Sequence, residues 1–339
     1  MATNLTNTQV VLAAGLPKDI ITQLKSSESA TFTPAANQFL TAVVNKIVYQ
    51  KVDTISFSNP FKKFDSYPVT YGDSIENIYV DKLTGRVFNK DNTNPFEVKA
   101  PNVTALYTSI NYEMQYLVTV EDKLIKRAAL NEYGFQSIIN SIVESLAMSR
   151  DVDEYTATII MLNNSDIYAK GFESVSYPST ATDSEIANIV MHTLTDTVTD
   201  FKLPSFDNNK KGVMSVTDPS HALIVIKQSL LNKINLDYLE GVYNLNKVDL
   251  QSMIIPVRSF MVTMNTTSGD TLSPSATGDD IDFIVVDTRG FDNHVALNDG
   301  ETIRNPANKS TNHFSNLWKI LAYRQDYQAR AFKLVKSSS

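Results

Sequence analysis

Two clusters of carboxylates, four histidines and one basic-aromatic run are the residues of this sequence whose types and spacing could do chemistry. The clusters are Asp151-Val152-Asp153-Glu154 and Asp279-Asp280-Ile281-Asp282. Carboxylates this dense can hold calcium or divide into acid and base. Neither run has the spacing of a calcium loop, so the first reads as a solvated stretch of helix and the second as a turn before a strand. Carboxylates far apart in sequence can still meet in a cleft, as glycosidases require, and that alternative stays open. The histidines His192, His221, His294 and His313 are scattered, with no H-x-H or H-E-x-x-H spacing that would put two ring nitrogens on one metal. They read as structural or surface residues, and no metal or other cofactor is expected. The sequence contains no G-x-S-x-G elbow, no phosphate-binding G-x-x-x-x-G-K-[ST] loop and no G-x-G pair.

The basic-aromatic run is NPFKKF, Asn59 to Phe64. Aromatic rings beside lysines can stack on bases and neutralise phosphates. Two lysines on an acidic protein fall short of the broad basic surface that nucleic-acid binding uses. The commoner arrangement is a pair of lysines laying their stems along packed Phe61 and Phe64 at the end of a strand.

Composition narrows the elements that must position these residues. The chain has 339 residues, 42% of them hydrophobic, enough for a substantial core. Its net charge of -7 argues against a protein whose main work is gripping phosphate backbones. It has no cysteine, so disulfides, thiolate nucleophiles and sulfur-based zinc sites are excluded. No apolar run approaches the roughly 20 residues that span a bilayer, and the first residues lack a basic segment followed by an apolar one; no export signal and no membrane anchor are expected.

Residues 1 to 35 are rich in Asn, Thr and Ser around short apolar clusters and read as an arm that orders only against something else. Apolar spacing then predicts a helix through ANQFLTAVVNKIVYQ and a strand in VDTISFS. From Ser66 to about Val120, strand-like pieces (DSIENIYV, RVFNK, YEMQYLVTV) alternate with turn-forming stretches, which reads as a long two-way β-loop. It has too few large apolar residues to enclose a core, and an isolated hairpin is marginal in water, so something must cover one face. A long helix follows from Tyr133 to Asn163, with Phe135, Ile138, Ile139, Ile142, Val143 and Leu146 on one stripe that resumes at Val152, Tyr155, Ile159 and Leu162. Another helix is predicted over Ile186 to Phe201. Gly212 to Val295 alternates apolar strands (HALIVI, SMIIPV, IDFIVVD) with the helical QSLLNKINLDYLEGVY, a pattern of buried sheet. VALNDGETIRN and NLWKILAYRQDYQARAFKLV read as closing strands.

In this order the pieces resemble the major capsid proteins of tailed bacteriophages, and within them the coat protein of short-tailed phages of the phi29 type. The matching stretches are NPFKKF, SIENIYVD, APNVTALY, SIINSI with VDEYTATIIMLNN, LNKINLDYLEGVYNLNKVDL and ETIRNP, collinear from about residue 36 to residue 333. The resemblance implies an α+β chain of the HK97-like capsid fold. It would comprise an N-terminal arm (1–55), an extended β-loop reaching over a neighbouring subunit (56–120), a peripheral domain with spine helix 133–163 (121–211), an axial domain (212–295) and return strands of the peripheral domain (296–339). It also implies a coat protein, not an enzyme, that self-assembles as pentamers and hexamers into an icosahedral or prolate shell. Scaffolding protein and portal are implied partners, with packaged double-stranded DNA touched non-specifically at most, no membrane, and assembly in the host bacterial cytoplasm. The expected inter-subunit contacts are Phe61, Lys62, Lys63, Phe64, Arg86, Phe88 and Lys90. The alternatives are an encapsulin-type cellular shell and a soluble α/β enzyme. The immunoglobulin-like C-terminal domain of phi29-type coat proteins has no counterpart in these residues, so its role is not carried over.

Overall fold

The computed structural model describes residues 6–47, 57–69, 72–85, 100–234, 253–265, 271–272 and 281–337. Its helices are α1 (Asn7–Ala13), α2 (Asp19–Lys25), α3 (Ser29–Ile47), α4 (Asp122–Leu130), α5 (Gly134–Leu162), α6 (Asp183–Phe201) and α7 (Gln228–Leu231). Its strands are β1 (Ser74–Val80), β2 (Val103–Ser109), β3 (Tyr112–Glu121), β4 (Phe172–Pro178), β5 (Ala222–Lys227), β6 (Ile254–Val257), β7 (Met264–Asn265), β8 (Thr271–Leu272), β9 (Phe283–Asp287), β10 (His294–Asn305), β11 (Ser310–Ile320) and β12 (Ala329–Ser337). The chain divides into two compact units. The expected strand at VDTISFS falls mostly, RVFNK wholly and the helix after QSLLNKI largely outside the described residues.

The first unit draws on Met1–Asn59, Asn111–Tyr155 and Val295–Lys319. Helices as short as α1 and α2 do not persist alone in water, and here tertiary burial holds them. Val10 and Val11 of α1, Ile20 and Leu24 of α2, and Phe39 and Leu40 of α3 share one core with Ile125 and Ala129 of α4 and Phe135, Ile138 and Ile142 of α5. Thr6 and Gln9 close a capping box on α1. The buried Asn7 side chain donates to the carbonyls of Ala128 (3.2 Å) and Asn131 (2.5 Å) and accepts from the Phe135 amide (3.1 Å), pinning the corner between α4 and α5. At that corner a Cβ on Gly134 would run into the backbone of Ala128. The partner against which the N-terminal residues order is thus this chain itself. A three-stranded sheet in the order β10-β11-β3 completes the unit.

The second unit draws on Pro60–Ile110, Thr156–His294 and Ile320–Ser339. Its centre is a mixed five-stranded sheet in the order β4-β12-β9-β5-β6, with β4 parallel to β12, β9 antiparallel to β12 and β5, and β6 parallel to β5. Strands β5 and β9 are nearly continuous apolar runs because both faces are covered. On one face Val190, Leu194 and Phe201 of α6 pack on Ile224, Val285 and Phe332; on the other Leu223, Val225, Ile284 and Val286 are equally buried.

Strand β4 and helix α6 share sheet and core with β5 and β9, and β12 lies between β4 and β9. Strands β4 and β12 bury the sheet flank that β9 leaves open, and the apolar stripe of α6 has this sheet to cover.

Helix α5 runs over 29 residues, about 44 Å at 1.5 Å per residue. Its stripe departs from the expected one past Met148. Ile159 and Leu162 are buried, but Val152 is 37% exposed and Asp151 and Glu154 are buried instead. The carboxylate cluster is therefore not solvated helix. Glu154 pairs with the buried ammonium of Lys319 at 3.3 Å, and burial raises the carboxyl of Asp153, which hydrogen-bonds Tyr116. Lys319 lies on β11, far from Glu154 in sequence, and its charge makes burial of Glu154 tolerable. In the second cluster Asp282, just before β9, pairs with Lys227 at 2.9 Å and accepts from the Leu334 amide at 2.7 Å; Asp279 and Asp280 lie outside the described residues.

Candidate functional site

Strands β1 and β2 form a two-stranded antiparallel ribbon in register from Ser74 opposite Ser109 to Val80 opposite Val103. Because side chains alternate across a strand, directly paired residues share a face. One face carries Asn77 and Tyr79, both buried. Asn77 donates to Asp292 Oδ2 at 2.6 Å. The Tyr79 ring lies against the Lys211 ammonium and the Arg324 guanidinium, 5.9 and 5.8 Å from its centroid. Burial, with the carboxylates of Asp326 and Asp292, pushes the Tyr79 phenol up to about 12. Arg324 is itself fixed by two bonds to Asp326 and by the Tyr327 ring.

Among the described residues nothing covers the opposite face. Ile78, Val80, Val103 and Tyr107 are 56%, 59%, 53% and 65% exposed, in a patch closed at one end by the cross-strand bond from the Tyr107 hydroxyl to Glu76 at 2.8 Å. Leu83, just past the ribbon, is 61% exposed. Apolar side chains grouped on one face of a ribbon mark a surface made to be covered.

NPFKKF stands at the foot of this ribbon. Pro60–Phe64 is a turn of 3-10 helix, not the end of a strand; proline fixes its own φ near the value a helical first turn needs. Phe61 is buried, and Phe64 stacks on Phe291 with centroids 4.8 Å apart and planes 8° from parallel. Phe291 in turn meets Tyr323 edge-on at 5.6 Å, a close approach allowed because Gly290 has no Cβ to strike the Tyr323 ring. Lys62 and Lys63 reach the surface, with the Lys63 ammonium 5.0 Å from the Phe64 centroid, where partial burial lowers its pKa. Of the expected contact residues, Phe61 and Phe64 are engaged in aromatic packing inside their own subunit. Arg86, Phe88 and Lys90 lie outside the described residues.

Sequence reasoning missed a second feature at the ribbon foot. His294 is buried, with Nδ1 2.7 Å from the Tyr67 carbonyl and Nε2 2.9 Å from Asp292 Oδ1. The signal available was the Asp-Asn-His triplet at 292–294 directly before β10. Of the other histidines, His192 and His221 are exposed and His313 is buried. Among the described residues no group of acids and histidines is arranged to hold a metal, and no helix is long and apolar enough to cross a membrane.

The profile of a family described as Phi29-like phage major capsid protein matches residues 19–333. The chain is 25% identical over 301 residues to the major capsid protein of Bacillus phage PZA, covering 87% of this chain and 63% of that protein. It is 24% identical over 295 residues to the major capsid protein of Streptococcus phage Cp-1, covering 84% and 79% respectively. It thus spans less than two thirds of the length of the Bacillus phage relative. Among solved structures it is similar to the capsid of Staphylococcus phage Andhra, with a TM-score of 0.65 at 11% identity over 85% of this chain and 88% of that one. The capsid of cyanophage P-SCSP1u gives 0.56 at 11% identity over 85% and 92%. At such identities the likeness concerns the fold, which is the HK97-like capsid fold. The match across residues 19–333, nearly the whole chain, places this protein in the Phi29-like phage major capsid protein family.

Proposed function

We propose that this chain is a coat subunit that assembles with copies of itself, as pentamers and hexamers, into the icosahedral or prolate head shell around a phage genome. The observation that carries the reading is the uncovered apolar face of the β1–β2 ribbon, whose other face is fastened to its own subunit. A neighbouring subunit laid over Ile78, Val80, Val103 and Tyr107 would gain roughly 25 cal/mol for each Å² of apolar surface removed from water. Such contacts are individually modest and gain strength through repetition in a closed, symmetric assembly.

In this reading residues 56–120 are the extended loop over the neighbour and part of the chain between 212 and 295 meets its copies around the shell's five-fold and six-fold positions. Lys62 and Lys63, the exposed members of NPFKKF, contribute at the loop's foot. Scaffolding protein and portal are the expected assembly partners, the chain's role is structural, not enzymatic, and its place is the virion capsid after assembly in the host cytoplasm. The net charge of -7 suits a wall that does not trap the DNA packed against it.

The test is negative-stain electron microscopy of the purified protein, with a sizing column at low and high concentration, alone and with the scaffolding protein of its own phage. Closed or partly closed shells are expected. A monomer under every one of these conditions would overturn the proposal.

A further inference from the structure

We infer that His294 and Asp292 form a proton-dependent latch that fastens the β1–β2 ribbon to its own subunit. The argument is one of donors and acceptors. The Tyr67 carbonyl oxygen can only accept, so the hydrogen in its 2.7 Å bond to His294 sits on Nδ1. Nε2 lies 2.9 Å from Asp292 Oδ1. A ring carrying only the Nδ1 hydrogen would point a lone pair at a carboxylate oxygen, which repels. The contact becomes a bond only when one more proton lies between the two groups. That proton joins side chains that are 3% and 10% exposed.

The other oxygen of Asp292 accepts from Asn77 at 2.6 Å, so the carboxylate that receives the proton-dependent bond is also the one that grips β1. Loss of the proton turns the His294 contact repulsive and leaves Asp292 free to shift, taking its hold on Asn77 with it. Every element around the pair contributes to its surroundings. The segment after NPFKKF presents the Tyr67 ring, edge-on at 4.8 Å, and the backbone of Asp65 bridged to Asn293. Strand β1 presents Asn77 and Tyr79, and the Asp292 amide donates to the Ala322 carbonyl next to Tyr323, Arg324 and Asp326. The cations Arg324 and Lys211 stand over the Tyr79 ring, with Arg324 also tied to Asp326, so the carboxylate of Asp292 has His294 as its partner of opposite charge at bonding distance. The latch goes beyond shell formation and does not depend on it.

Amide hydrogen exchange of dispersed subunits tests this, with residues 75–80 of β1 referred to residues 283–287 of β9 at each pH so that the intrinsic pH dependence cancels. As pH is raised from acid to alkaline and the bridging proton is lost, relative protection of β1 falls on the order of tenfold, a change that one such hydrogen bond supports. In Asp292→Asn the introduced amide donates to Nε2 of a neutral ring and its oxygen still accepts from Asn77, so protection of β1 is retained and becomes flat with pH. A flat wild-type profile, or the same fall in Asp292→Asn, overturns the latch. Should that variant not fold, nitrogen NMR of the wild-type imidazole decides: both ring nitrogens of His294 carry hydrogen at the pH where β1 is most protected if the latch is right, and a bare Nε2 there refutes it.

Discussion

The β1–β2 ribbon and the five-stranded sheet are both runs of apolar side chains on paired strands, but they spend those side chains differently. In the sheet, β5 and β9 are buried on both faces, so every apolar residue from Ala222 to Ile226 and from Phe283 to Val286 serves the folding of the subunit. In the ribbon, the register that turns Asn77 and Tyr79 inward necessarily turns Ile78, Val80 and Val103 outward. The same residue types thus hold the subunit together in one place and remain available to another molecule in the other. Burial alone separates the two roles, and composition does not.

Matched substitutions sharpen that contrast. Val285→Asp puts a charge in the centre of the sheet, where both faces are dry; a loss exceeding about 4 kcal/mol is expected, read as insoluble protein without a cooperative unfolding transition. The buried pair Lys319–Glu154 predicts a smaller but still large loss: Lys319→Met removes the buried cation 3.3 Å from the carboxylate and costs about 3–5 kcal/mol in denaturant unfolding, while adding Glu154→Leu recovers most of it. If Lys319→Met alone is as stable as the wild type, the pair is not held as described.

A third expectation concerns pH. Burial pushes the imidazole of His313 down to about 4, and its Nδ1 lies 3.2 Å from the Thr302 hydroxyl. The folded chain keeps this ring neutral while the unfolded chain protonates it near pH 6.5. Its contribution is therefore intact above that pH and is lost as pH falls from about 6.5 toward 4. His313→Gln should show a shallower fall of melting temperature over that interval than the wild type; parallel curves would contradict the burial argument.

What was legible in the sequence follows the range of the interactions. Helix α5 was predicted over 133–163 and lies at 134–162 because its stripe is long and regular. Strands β5, β6 and β9 were legible as short apolar runs between turns. Helix α6 begins three residues before its predicted start because Thr182 and Glu185 form a capping box that the apolar pattern alone does not reveal. Helices α1 and α2 were not legible, since their stability resides in contacts with α4 and α5 and in the Asn7 bonds across more than a hundred residues. The same distance hid Glu154–Lys319 and the clasp of Asn77, Asp292 and His294. The uncovered ribbon was legible as a β-loop lacking a core; which of its faces is bare became visible only with the register.

The central claim is that the bare face of the ribbon belongs to a neighbouring copy. It is tested most directly by assembling Ile78→Asp/Val103→Asp beside the wild type and counting closed particles by electron microscopy, with the melting temperature of each subunit measured in parallel. Both positions are solvent-facing in the subunit, so substitutions there change its stability by no more than about 0.5 kcal/mol each. The account predicts a normally folded double variant that forms few or no shells. Shells in wild-type yield from that variant would contradict it.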